Sequence, residues 1–191
     1  VQQTSAEAFT RRLGGVWREC HRVLKPDGLL VFTYHHSRLE GWRSILQSLV
    51  SSGFGVVQTH PIKSEMSVAA PKHQASEPID LDIIFVCRKT DVLIPSVNSS
   101  AFLDNAISEA RLQLRRLAIA GREFSRNDVR IIMMARVAAR LSRSGDAGSA
   151  LDDFDKGSSA FEEAIDALMV STGAPVKEST NGVFSSQQRL V

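Results

Sequence analysis

The chain has 191 residues, 43% of them hydrophobic, and a formal net charge of +2. The length suits one domain or one and a half, and the apolar fraction suffices for a packed core. The small net charge gives no overall argument for nucleic acid; without a signal peptide or a membrane-spanning apolar stretch, the cytoplasm is the expected compartment.

Ala6 to Leu24 has the period of an amphipathic helix, with Phe9, Leu13, Val16, Trp17, Cys20 and Val23 on one stripe. Lys25-Pro26-Asp27-Gly28 ends it: proline stops the helix and Asp-Gly makes the turn. Leu29 to Tyr34 follows as an apolar run without alternation, expected to be a strand covered on both faces. Leu39 to Ser52 reads as a second helix, with Trp42, Ile45, Leu46 and Leu49 inward, and Gly53-Phe54-Gly55 ends it and opens the strand GVVQTHPI. A polar loop spans Ser67 to Pro78. IDLDIIFVCRK then reads as a strong strand; with no helix before it, it is expected to run antiparallel to its partner. Strands separated by helices predict parallel neighbours. Cys20 and Cys87 lie far apart inside these elements and lack metal-ligand spacing, which reads as two reduced, buried thiols.

Beyond about residue 90 the pattern changes. Residues 91–100, with Pro95, read as a linker. Ala101 to Ala120, Asn127 to Ser142 and about Ser149 to Val170 read as three helices, an all-α extension over 101–170. Residues 171–191 have the composition of a disordered tail. Charge divides sharply here. Ile107 to Arg143 carries nine arginines against three acids, and Ser144 to Val170 carries seven acids against one lysine. Two helical faces that neutralise each other is the favoured reading. The sharper one is an arginine surface for phosphate, with Arg115, Arg116, Arg122 and Arg126 as the nucleic-acid contacts. No aromatic residues are interleaved there, which does not support a stacking platform for single strands.

A helix, then R-V-L-K-P-D-G, then an apolar strand resembles the fifth strand and its preceding helix in class I methyltransferases that use S-adenosylmethionine. Finer phrases, F-T-Y-H-H, E-G-W, G-F-x-V, H-P-I-x-S-E-M and F-V-C-R-K, resemble the large adenine-specific DNA methylases that carry a DUF1156 domain. His60 stands where those have tryptophan. The resemblance covers roughly residues 6 to 89. It implies an α/β fold, the C-terminal half (strands five to seven) of a Rossmann-like class I methyltransferase sheet over residues 1–90, followed by the all-α extension. It implies an enzyme that transfers methyl to adenine N6 or cytosine N4 in DNA.

The family's glycine-rich cofactor turn and its D-P-P-Y motif are absent from the sequence. The chain opens on Val1 and runs almost at once into a helix, as a fragment would. No catalytic residue, cofactor-binding residue or metal ligand is therefore expected in it. S-adenosylmethionine is expected for the intact parent and not for this chain alone. The carboxyl ends of strands five and six should share a rim carrying Tyr34, His35, His36, His60, Lys63, Glu65 and Met66. Each also has a plain structural reading: strand-end histidines at the surface, a core tyrosine, a Lys63–Glu65 ion pair. Adjacent histidines in extended chain point to opposite faces, which argues against a shared metal. The expected partners are DNA through the parent, and a second chain or self-association at a bare sheet edge, without a membrane. The rival functions are a non-catalytic helical interaction or DNA-binding module, and a methyltransferase acting on RNA or a small molecule.

Overall fold

The computed structural model describes residues 5–64, 79–92, 101–144 and 146–172. Helix α1 (Ala6–Val23) starts at Ser5, whose hydroxyl accepts the Ala8 N–H at 3.2 Å. Strand β1 (Leu30–Tyr34), helix α2 (Leu39–Val50), strand β2 (Phe54–Lys63) and strand β3 (Leu81–Lys89) follow. The turn into β2 needs a left-handed residue, supplied by Gly53 at φ 76°. A 3-10 turn, Thr90–Val92, closes this part. Helices α3 (Phe102–Ile119), α4 (Arg126–Leu141) and α5 (Ala147–Thr172) make the rest.

The sheet order is β1-β3-β2, and β3 is antiparallel to both neighbours. β1 and β2 therefore run in the same direction, not as the neighbours that helix-separated strands predict but with the last strand reversed between them. Their carboxyl ends lie on one rim: Tyr34 and Pro61 both pair with Ile83.

One face of the sheet carries the core. Phe32 stacks on Phe85 at 5.3 Å, Trp17 lies 4.8 Å from Phe32, and Trp42 sits 6.3 Å from Phe85. The two tryptophan N–H groups are satisfied, Trp17 by Ser48 Oγ at 3.2 Å and Trp42 by the His36 carbonyl at 2.8 Å. Burial pushes the Cys87 thiol up to about 12, and neither Cys87 nor Cys20 forms a disulfide.

One expectation needs correction. β1 is not covered on both faces: its burial alternates, and Val31 and Thr33 stand exposed beside Val86 and Ile84 of β3. Among the described residues this second face is open. The all-α extension packs on the rest of the chain. α4 packs across β2 and β3, α5 packs on α2, and one apolar cluster runs through both parts. The Ser142 hydroxyl accepts the Val56 N–H at 2.9 Å beside a bulge in β2, so a polar bond also joins them. Helix α5 continues to Thr172; residues 93–100 of the expected linker and 173–191 of the expected tail lie outside the described residues.

Candidate functional site

The β1 rim divides between the two sides of the sheet. Tyr34 turns to the helix side, where its hydroxyl donates to the Gly41 carbonyl at 2.8 Å and its ring meets Trp42 edge-on at 5.4 Å. Burial raises its pKa well above the ordinary tyrosine value, so it stays neutral. His36 stacks on Tyr34 at 6.4 Å, and its Nδ1 accepts the Arg38 N–H at 3.0 Å. A Cβ on Gly41 would lie 2.2 Å from His36 Cγ, so only glycine lets the imidazole sit there. Both side chains fix the β1–α2 connection.

His35 takes the other side. It contacts the carboxylate of Asp82 through Nδ1. The registers Thr33↔Ile84↔His60 and Asp82↔Ile62 place His60 on the same open face. His60 Nε2 lies 3.1 Å from Gln58 Oε1. The two adjacent histidines thus point apart, and among the described residues no group of three or more His, Cys, Asp or Glu could hold a metal. Glu65 and Met66, and with them the expected Lys63–Glu65 pair, lie outside the described residues.

Lys63 has a different setting. It lines a cleft of about 450 Å³ between the rim ends of β2 and β3 and the turn from α3 to α4. Arg122 comes to the same cleft from that turn, which reverses at Gly121 with φ 75°. Pro61, Leu81, Leu117 and Phe124 supply apolar wall, and Asp80 and Glu123 supply the opposing charge. Two residues that the sequence marks on separate grounds, one as a strand end and one as a helical arginine, therefore line one cleft. Its lining sets two basic and two acidic side chains around an apolar wall, which suits a flat or apolar group with polar substituents.

A buried clamp sets the cleft's geometry. Asp128 accepts the N–H groups of Asp80 at 2.9 Å and Leu81 at 3.1 Å on one oxygen, and that of Ser125 at 3.0 Å on the other. In return Ser125 Oγ accepts the Asp128 N–H at 3.0 Å, completing a capping box. Burial raises the Asp128 pKa against these bonds. Sequence reasoning misses Asp128; the Ser125-x-x-Asp128 spacing marks the cap but not its reach to β3.

The arginines separate into two groups. Arg126 is bound by Asp166 Oδ1 at 2.8 Å and Glu162 Oε2 at 2.7 Å, and Arg130 by Glu162 at 2.8 Å. Arg140 pairs with Glu109, and Arg43 of α2 reaches Asp155 of α5 at 2.7 Å. Glu162 and Asp166 of α5 thus neutralise Arg126 and Arg130 of α4, and Arg126, expected as a nucleic-acid contact, has its guanidinium engaged there. Arg115, Arg116 and Arg122 stay exposed, and among the described residues none of them enters an ion pair within 4.0 Å. Arg88 donates to the Asp27 carbonyl at 2.7 Å and ties β3 to the turn before β1.

Comparison of the chain with protein-family models, with curated proteins and with solved structures finds no match.

Proposed function

We propose that this chain supplies strands five to seven of a class I methyltransferase sheet and serves methylation of DNA, at adenine N6 or cytosine N4, as the part that borders the nucleic acid. One observation carries the reading: β3 runs backwards between the codirectional strands β1 and β2. That is the arrangement the sequence resemblance implies for strands five, seven and six.

In this reading the described residues make no cofactor site of their own. A glycine-rich turn must follow a strand at the rim so that backbone can approach the ligand. The turn glycines Gly28 and Gly53 instead precede β1 and β2, at the opposite end of the sheet. No step of methyl transfer is assigned to this chain. Its role in this reading is contact: Lys63 and Arg122 at the rim cleft meet phosphate, and the apolar wall meets sugar or base.

Calorimetric titration of the chain with S-adenosylmethionine tests the reading: no saturable heat is expected, and micromolar binding contradicts it. Reading the coding sequence upstream of Val1 tests the parentage. A glycine-rich turn and a D-P-P-Y in frame are expected there, and an upstream frame without them overturns it.

A further inference from the structure

Helices α3 and α4 share a seam outside the rim cleft, and its charges do not balance. Glu109 of α3 contacts Arg140 of α4, which sets these two helix faces against each other. Arg116 stands two turns beyond Glu109 on the same side of α3, and Arg136 stands one turn before Arg140 on the same side of α4. The seam therefore gathers Arg116, Arg136 and Arg140 around one carboxylate. None of these four residues lines the rim cleft. The other acids between Ile107 and Arg143 are placed elsewhere, Glu123 in that cleft and Asp128 in the clamp to β3.

Arg136 is the most telling of the three. It is half-buried, yet among the described residues its guanidinium makes no hydrogen bond and no ion pair within 4.0 Å. Burial, and after it the positive charges of Arg140 and Arg116, lower its pKa against the pull of Glu109. Its neighbours on the seam are thus two further cations and a carboxylate that Arg140 already holds. A guanidinium removed from water in this way leaves its forked donors without an acceptor, a state that an incoming anion relieves.

The excess charge indicates which anion. Three guanidiniums against one carboxylate leave two positive charges over. A phosphate monoester carries about −1.5 to −2 at pH 7 and presents three oxygens to the arginine forks. A phosphodiester carries a single charge and matches the seam less well. We infer that the α3–α4 seam is a binding site for a phosphoryl dianion, either free phosphate or the terminal phosphate of a nucleotide. Glu109 is its built-in competitor, holding Arg140 until the phosphate takes its place. The inference concerns a different site from the rim cleft and does not rest on the methyl-transfer reading.

Isothermal titration calorimetry of the full chain with inorganic phosphate, in a buffer free of other oxyanions, tests it. Saturable binding with a Kd below about 1 mM is expected. Arg136→Gln and Arg116→Gln should each weaken it by about tenfold or more, as loss of a charge-assisted bond does. Arg115→Gln, which removes the same charge one residue round the helix, should not. Arg116 is exposed, so its variant decides the question should circular dichroism show Arg136→Gln unfolded. Glu109→Gln should tighten binding, since the competitor is gone. A nucleoside 5′-monophosphate in place of phosphate separates the two sources: no gain in affinity assigns the site to free phosphate, and tighter binding assigns it to a nucleotide. Absence of saturable binding, binding indifferent to Arg136 and Arg116, equal weakening in Arg115→Gln, a Glu109→Gln chain that binds no tighter, or binding lost in Lys63→Ala/Arg122→Ala overturns the inference.

Discussion

Asp128 at the start of α4 accepts the backbone N–H of Asp80, just before β3, at 2.9 Å. The bond joins the helical part of the chain to the sheet at the rim and sets one wall of the cleft that holds Lys63 and Arg122. Truncation at Asp128 removes the acceptor for three backbone donors and uncaps α4. Asp128→Ala should therefore cost roughly 2–4 kcal/mol. Urea denaturation measures it; a loss below about 1 kcal/mol would mean that water replaces the carboxylate.

The aromatic layer makes a second quantity predictable. Phe85 is fully buried on the middle strand, against Phe32, Trp42 and Tyr34. Phe85→Ala should cost about 3–5 kcal/mol, because a rigid layer refills a ring-sized void poorly. Phe85→Leu should cost markedly less. Equal losses for the two would show a core that repacks freely.

His36 and Gly41 form a testable pair. The clash expected at a Gly41 Cβ falls on His36 Cγ, so Gly41→Ala should destabilise by about 1–3 kcal/mol. His36→Ala placed in the same chain should recover most of that loss, a coupling that a double-mutant cycle reads. Additive losses would show that the helix, not the imidazole, resists the methyl group.

Acid should release α5 before the sheet. Arg43 holds the Asp155 carboxyl below its ordinary range, and Arg126 does the same for Asp166. For Glu162 burial pushes upward, but Arg130 and Arg126 outweigh it and the net direction is down. Groups lowered in the fold contribute stability above the ordinary carboxylate range and lose it as pH falls through their folded values. Asp128 is raised by burial, so acid does not cost the fold at that residue. Below about pH 4, where free carboxylates titrate, hydrogen exchange should show α5 amides losing protection ahead of those of β3. Simultaneous loss contradicts the assignment.

Much of the fold is legible because local signals agree. Pro26 and Gly28 punctuate α1 and β1, Gly53 turns α2 into β2, and the lack of a helical pattern in the sequence before β3 foretells its reversal. The misreading of β1 has a simple cause. LLVFTY reads as doubly covered because Val31 is as apolar as Phe32, yet only Phe32 meets the helices. Asp82 and Arg88, flanking Ile84 and Val86 on the same face of β3, are the sign of an open face. The candidate site is legible in part. Lys63 and Arg122 each stand out in the sequence, but their lining one cleft depends on how the α3–α4 turn seats against β3. That seating runs through a buried aspartate 48 residues away from the N–H it accepts. The splitting of His35 from His36 follows from strand geometry alone.

In the proposed function the rim cleft meets a phosphate backbone. Fluorescence anisotropy of a labelled duplex across a salt series measures this directly. Binding by the intact chain that weakens steeply with salt is expected. In Lys63→Ala/Arg122→Ala the slope of log K against log salt should shrink by about 2, roughly one for each phosphate no longer neutralised. Absence of binding at low salt, or a slope unchanged in the double variant, would contradict it.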